Sequence, residues 1–233
     1  MEIENIQPNP GKNIKIEVDG QTYARYPIKT KVVNPGDNLA QVIKEYAGQY
    51  LKQGDLIFLS EKMVSISQGR AIPIKDIKVS RLANFLLKFV YKSPFGVGIG
   101  SPWTMELAIR ETGAARILLA AFASAITKPL GIRGVFYKVA GHGINAIDGP
   151  APYVIPPYNQ YAKLPPLDPQ KATEDLKKQI GYDAVILDAN DIGIVVMGKS
   201  NKEISDDFCK KVFKDNPLGQ TSEQTPVCVV RKI

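Results

Sequence analysis

The sequence predicts an α+β fold, with mixed sheets and packed helices, on three observations. Short runs rich in Val, Ile and Phe end in turn residues, as buried strands do. Two alternating segments flank an Asp-Gly pair, the signature of a hairpin. Longer segments carry apolar residues at the spacing of an amphipathic helix.

Taken in order, residues 1–13 form a polar tail containing Pro and Asn. Residues 14–18 alternate, Asp19 and Gly20 turn the chain, and 21–26 run back. A turn at 34–37 precedes a helix to about Leu51, capped by Asp37 or Asn38, with Leu39, Val42, Ile43 and Tyr46 on one face. Gly54 ends it, and 55–59 is a buried strand that delivers Ser60, Glu61 and Lys62 to its end. The chain continues through 63–70 into a short strand at 71–74, and 78–92 has helical spacing. The glycine-rich stretch 95–100 reads GxGxG, short of the GxGxxG that opens a helix in dinucleotide sites. Ser101 at N-cap and Pro102 at N1 start a helix, and 105–111 and 114–126 read as two helices broken at Thr112 and Gly113.

Further on, 134–139 reads as a strand leading into Gly141, His142 and Gly143. The proline-rich segment 150–169 is too apolar for a linker and is expected to pack as an ordered loop beside the site. Asp168 or Thr173 begins a helix to about Ile180, ended by Gly181. Strands at 185–187 and 192–197 flank a turn of Asp188, Ala189, Asn190 and Asp191. Then come an amphipathic helix at 203–214, a polar turn at 216–225 and a closing strand at 226–230. Residues 14–233 are taken as one domain.

Composition narrows the classes. The chain has 233 residues, 44% hydrophobic and 23% charged, ordinary for a globular protein. No apolar run approaches the ~20 residues of a membrane span, so no membrane partner is expected. The N-terminus has neither the basic nor the apolar region of a signal peptide. Two cysteines without a CxxC motif point to a reducing, cytoplasmic setting. One His and two Cys argue against structural zinc. The net charge of +7 is spread along the chain without a dense basic run or aromatic-interleaved patch; anionic small molecules fit such a scattered excess equally well, and no nucleic-acid partner is expected.

The acidic residues carry the chemistry. Asp148 follows the apolar stretch 143–147, and Asp188 and Asp191 end the run 184–187. Side chains at strand ends are both fixed and reachable. Carboxylates held there suit a hard cation, Mg2+ or Mn2+. Asp and Asn also form turns by bonding nearby amides, which explains each of them taken alone. His142 allows acid–base work or simple packing between its glycines.

Five blocks carry a family resemblance. They are Tyr26-Pro27-Ile28-Lys29 with NPGDNL (34–39), GDLIFLSEKMVSISQGR (54–70), NAID (145–148) before a Pro-containing loop, AVILDANDIG (184–193) and GQTSEQTPVCVVR (219–231). In their order and spacing they resemble the coenzyme F-420:gamma-glutamyl ligase family from about Tyr26 onward. The resemblance implies an intertwined homodimer that uses GTP (or ATP) and divalent cations. Such a ligase joins L-glutamate to a small-molecule acid acceptor through an acyl phosphate. The alternative is a non-catalytic nucleotide- or metabolite-binding protein on the same scaffold. By residue matching, metal falls to Asp148, Asn190, Asp191 and Gln220, with Asp188 a plausible substitute; Lys62 and Lys29 are expected to help hold the phosphates, and catalysis is assigned to Asp148, Asp191 and Lys62. Nucleotide contact falls to Tyr26, Pro27, Ile28, Lys29, Ser60, Glu61, Ser65, Gly219, Gln220 and Thr221. The family's glycine-arginine-proline-tryptophan-arginine run is absent after the DAND segment, and Ile66 stands at a family lysine. An acceptor other than coenzyme F-420, such as a folate-like or other glutamyl-bearing acid, therefore fits as well.

Overall fold

The computed structural model describes residues 3–90, 98–132, 134–141, 143–190 and 193–233. The strands are Lys15–Val18 (β1), Gln21–Ile28 (β2), Leu56–Ser60 (β3), Ala71–Pro73 (β4), Tyr161–Lys163 (β5), Asp183–Asn190 (β6), Gly193–Lys199 (β7) and Val227–Lys232 (β8). The α-helices are Leu39–Tyr46 (α1), Glu61–Ser67 (α2), Arg81–Leu86 (α3), Pro102–Thr112 (α4), Ala114–Thr127 (α5), Val135–Ala140 (α6), Pro169–Ile180 (α7) and Asp206–Val212 (α8). The architecture is α+β, and it divides into two compact units. Unit 1 is Met1–Gly69 with Pro166–Ile233, and unit 2 is Arg70–Pro165.

Unit 1 is organised by a six-stranded sheet in the order β1-β2-β8-β3-β6-β7. Only β3 and β6 pair in parallel, so the sheet is mixed. The β1–β2 hairpin turns on Asp19 and Gly20, both at positive φ, the backbone a two-residue turn of matching twist demands. Along β3 the side chains alternate between two cores. Ile57 and Leu59 join α1, α2 and α7 through Ile43, Val64 and Leu176. Phe58 joins α8 through Cys209 and Val212. Phe58 also stacks on Phe213 at 4.5 Å. The middle strands are apolar on both faces, which is why they read as continuous runs.

Local chemistry sets the helix ends. Asn38, not Asp37, caps α1 by accepting the Gln41 N–H at 3.2 Å. Asp37 instead accepts the Asn34 N–H at 2.7 Å. Asp168 caps α7, and left-handed Gly181 ends it. The N-terminal segment is attached to unit 1: Ile3 is buried, and Asn9 Nδ2 donates to Pro217 O and Thr225 Oγ1, each at 2.8 Å. Buried Arg25 donates to Val212 O at 3.0 Å and pairs with Asp215.

Unit 2 is mainly helical, around Met105, Leu107, Ile117, Ile144 and Ile147. Ser101 and Thr104 form a reciprocal capping box at the start of α4, with Pro102 at N1. Gly113, at φ +86°, breaks α4 from α5. The short β4–β5 ribbon lies beside them, and Arg70 pairs with Glu111 at 2.7 Å.

Residues 61–67, given no element above, form helix α2. One expectation is corrected here. Residues 134–139, expected as a strand, lie in the helix α6 segment. Gly134 and Gly141 bracket α6 at positive φ, and Phe136, Val139 and Ala140 pack into the core at helical spacing. The expectations that fall on residues 91–97, Arg133, His142, Asp191 and Ile192 lie outside the described residues. Among those described, no single helix is long and apolar enough to cross a membrane.

Candidate functional site

In unit 1, strand register gathers most of the candidate residues at one end of the sheet. Ser60, the last residue of β3, stands opposite Leu187 of β6. Leu59 stands opposite Val227, the first residue of β8, and Ile28, the last of β2, also faces Val227. Ser60 ends β3, Lys29 and Lys62 follow the ends of β2 and β3 that lie side by side, and Asp188 and Asn190 lie on β6 just past its pairing with β3.

The 216–225 loop is tied to the same end. Ser60 N–H donates to Pro226 O at 2.9 Å, and Thr30 N–H donates to Gln224 O at 3.2 Å. Asn216 Nδ2 donates to Ala189 O at 3.1 Å and to Gly219 O at 3.0 Å. Gly219 is at φ +77°, the left-handed region that favours glycine. Thr221 N–H donates to Glu223 Oε2 at 2.7 Å, fixing the loop beside half-buried Gln220.

The nucleotide candidates separate by exposure. Lys29, Lys62 and Thr221 are exposed, and Ser60, Gly219 and Gln220 are half-buried. Tyr26, Pro27, Ile28, Glu61 and Ser65 are buried. Burial, aided by Glu4, raises the Tyr26 pKa, and the Arg231 guanidinium sits 5.8 Å from its ring. These buried residues shape the strand end from beneath.

The acidic candidates lie in both units. The segment 188–190 is strand, not turn: β6 runs through Asn190, which pairs with Gly193 of β7. The ladder to β7 continues past the apolar run, because a strand needs a partner more than apolar side chains. Asp188 and Asn190 share the face of Ile186. Asn190 Oδ1 accepts the Gly193 N–H at 3.2 Å.

In unit 2, Asp148 exchanges backbone hydrogen bonds of 3.0 and 2.8 Å with Lys163 of β5. Its side chain is 45% exposed, and the ammonium of buried Lys163 lies 3.9 Å from Oδ2. Lys163 Nζ also donates to Ala146 O at 3.3 Å. The sequence reading missed Lys163, a single basic residue in an apolar stretch whose pairing across 15 positions leaves no local signal.

The donor chemistry fits a hard cation: a carboxylate at Asp148, a carboxylate and an amide oxygen at Asp188 and Asn190. Asn216 Oδ1 is a further oxygen, buried and without a hydrogen-bond partner. Among the described residues no group of three or more His, Cys, Asp or Glu side chains closes around one point.

Two cavities lie apart from these residues. One of about 320 Å3 opens where β3 and β6 begin, beside Gln53, Asp55 and Tyr182, at the end of the strands opposite Ser60. One of about 520 Å3 in unit 2 is lined by Pro73, Lys75, Pro157, Asn159, Gln160 and Tyr161. Tyr161 is two residues along β5 from Lys163, the partner of Asp148.

Unit 1 thus presents oxygens and ammonium groups at one sheet end, and unit 2 bears one more exposed carboxylate. Residues 27–214 match the F420-0:Gamma-glutamyl ligase family, and the chain belongs to it. The chain is also 28% identical over 178 residues to an uncharacterized protein of Methanocaldococcus jannaschii. That match covers 71% of this chain and 56% of the relative, so the chain spans little more than half the relative's length.

Proposed function

We propose that the protein is a nucleotide- and divalent-metal-dependent amide ligase that joins L-glutamate, or a similar amine, to a carboxylic acid. Family membership across residues 27–214 is the observation that carries this reading. The gathering of Lys29, Ser60, Lys62, Asp188 and the 216–225 loop at one sheet end supports it. Fold alone would not, since one scaffold serves many chemistries.

In the reaction proposed, a carboxylate oxygen of the acid attacks the γ-phosphorus of GTP or ATP. The bond to the nucleoside diphosphate breaks and an acyl phosphate forms. The glutamate amine then attacks the acyl carbon, the C–O bond to phosphate breaks, phosphate leaves and the nitrogen gives its proton to solvent. Lys29 and Lys62 act as ammonium point charges for the phosphates. Asp148, Asp188, Asn190 and Gln220 would hold Mg2+ or Mn2+, with Asp191 completing the set. A divalent ion supplies neutralisation of charge on the transferring oxygens. The working assembly proposed is a homodimer.

Phosphate release from GTP or ATP, measured with Mg2+ or Mn2+ and with candidate acids plus L-glutamate, tests the reading. The acid and the amine together should stimulate release. Asp148→Asn and Asp188→Asn should each lower the stimulated rate on the order of 100-fold, as loss of other groups that stabilise transferring charge does. If no acid plus glutamate raises phosphate release, the ligase reading fails. One observation favours a second reading, nucleotide or metabolite binding without turnover: Lys163 already balances Asp148 from 3.9 Å. Tight nucleotide binding without stimulated hydrolysis would establish that alternative.

A further inference from the structure

One side chain in unit 1 carries two structural costs at once. Asn216 opens the 216–225 loop, is 4% exposed and sits at φ +47°, a region that residues other than glycine rarely adopt. Its amide Nδ2 donates to Ala189 O at 3.1 Å and to Gly219 O at 3.0 Å. Those two carbonyls fix the orientation of the amide, because turning it would set oxygen against oxygen. Oδ1 is then left buried with no hydrogen-bond partner among the described residues. A buried acceptor without a donor is destabilising, and so is a positive φ. Both together mark a position where geometry matters more than stability.

What the amide joins gives the reason. β6 outlasts β3: Ser60, the last residue of β3, stands opposite Leu187, and 188–190 continue beside β7. In that overhang Ala189 lies between Asp188 and Asn190, and in the loop Gly219 immediately precedes Gln220. One nitrogen thus bridges the strand and the loop that carry three of the proposed cation donors. The backbone of Asn216 tightens the loop side of the bridge. Its N–H donates to Phe213 O at 2.7 Å, and its carbonyl accepts the Gly219 N–H at 3.2 Å. Asparagine suits the position twice over, with two donor hydrogens on a short stem and a tolerance of left-handed backbone. The loop has another anchor on the N-terminal segment, where Asn9 Nδ2 donates to Pro217 O and Thr225 Oγ1, each at 2.8 Å.

We propose that Asn216 is a positioning residue: its amide holds β6 and the 216–225 loop in one arrangement, so that Asp188, Asn190 and Gln220 present their oxygens to a divalent cation together. The inference rests on the reading that these residues bind the cation of a metal–nucleotide complex. Donors drawn from separate segments bind well only when the segments are already in place, since ordering them on binding lowers affinity. Groups that hold the ligands rather than the ion tune metal affinity in this way. Asn216 acts through the two backbones it joins, not by touching ion or nucleotide.

The test is Mn2+ binding to the full chain, followed by electron paramagnetic resonance of free Mn2+, with a non-hydrolysable GTP or ATP analogue present. Three variants are compared, and circular dichroism ranks their thermal stability. Asn216→Gly removes the amide and leaves the positive φ unstrained. Asn216→Ala removes the amide and strains the backbone. Asn9→Ala loosens the same loop at its other anchor. Both Asn216 variants are expected to weaken Mn2+ binding on the order of 10–100-fold. Asn9→Ala is expected to bind as the wild type does, even where it melts lower. Weakening in Asn216→Ala but not in Asn216→Gly would trace the effect to backbone strain and overturn the proposal. Equal weakening in Asn9→Ala overturns it, since any loosening of the loop would then suffice. Binding unchanged in both Asn216 variants overturns it, as does a wild-type chain that binds no Mn2+ with either analogue. Wild-type binding that is weakened by Asn216→Gly, without any acid-stimulated phosphate release, would support the inference and end the ligase reading.

Discussion

Unit 1 and unit 2 solve burial differently. Unit 1 sandwiches a sheet between two helical layers, so strands such as β3 are apolar on both faces and nearly neutral charge suffices outside. Unit 2 closes a helical core, leaves an α5 stripe of Leu118, Leu119, Phe122 and Ile126 exposed and carries a net +8 (12 basic against 4 acidic residues), against the −1 of unit 1 (18 against 19). An excess that looks scattered along the sequence is therefore segregated in space. A net charge is informative only once it is divided by folding unit.

The largest expected effect probes whether the two cores are separate. Phe58→Ala removes the stacking on Phe213 from unit 1 and should cost about 3–5 kcal/mol. Both cysteines lie in unit 1 and the single tryptophan, Trp103, lies in unit 2. Thiol labelling in urea therefore reports unit 1, and Trp103 fluorescence reports unit 2. The labelling midpoint should fall and the Trp103 midpoint stay. A common shift would mean that the cores unfold as one. Labelling of the native protein should be slow, because burial pushes the Cys209 thiol up to about 12 and Cys228 higher still.

Next in size, Lys163→Met tests how unit 2 balances Asp148. Removing the ammonium and keeping the stem should tighten Mn2+ binding about tenfold if the carboxylate is a ligand. Unchanged affinity by isothermal titration would take Asp148 out of the metal set.

Acid sensitivity should differ between the units. Burial pushes Asp215 up, but the hydrogen bonds and charge of Arg25 outweigh it and hold the carboxyl below its ordinary 3.8. Asp183 is likewise pushed up by burial and drawn below 3.8 by Lys177, Ser200 and Asn201. Groups with depressed folded values stabilise above the unfolded value and lose that contribution as pH falls through the folded one. Unit 1 should therefore lose thiol protection as pH drops below about 4, the unfolded carboxylate range. Asp215→Asn should flatten that dependence. In unit 2, Glu106 is held down by Ser80 and Arg110 against the upward push of burial, so Trp103 should report a smaller loss.

The smallest effect is local. Ser101→Ala removes half of the α4 capping box and should cost about 1 kcal/mol. The Trp103 transition should move and thiol labelling should not.

Much of the fold was legible because its signals are short-ranged. Ser101, Asp168, Gly113 and Gly181 act within one helical turn, and Asp19-Gly20 within one hairpin. The segment 134–139 failed because a six-residue run, mostly apolar but with Lys138 in it, carries too little period to separate strand from helix. The candidate site was legible only in pieces. Nothing near Asp148 announces Lys163, and nothing in the DAND letters says that Asp188 sits in a ladder to β7. The unit boundary was hidden as well, since unit 1 is assembled from two segments with 70–165 between them.

The amino-acid order by itself determined the caps, the turns, the two-faced strands and the family, because each depends on neighbours a few residues apart or on motif order. Only the tertiary structure decided that Ser60 stands beside Leu187 and Ile28 beside Val227, and that one unit holds the positive charge. Those pairings close loops of well over 100 residues, and many registers compete until both faces of the sheet are buried at once.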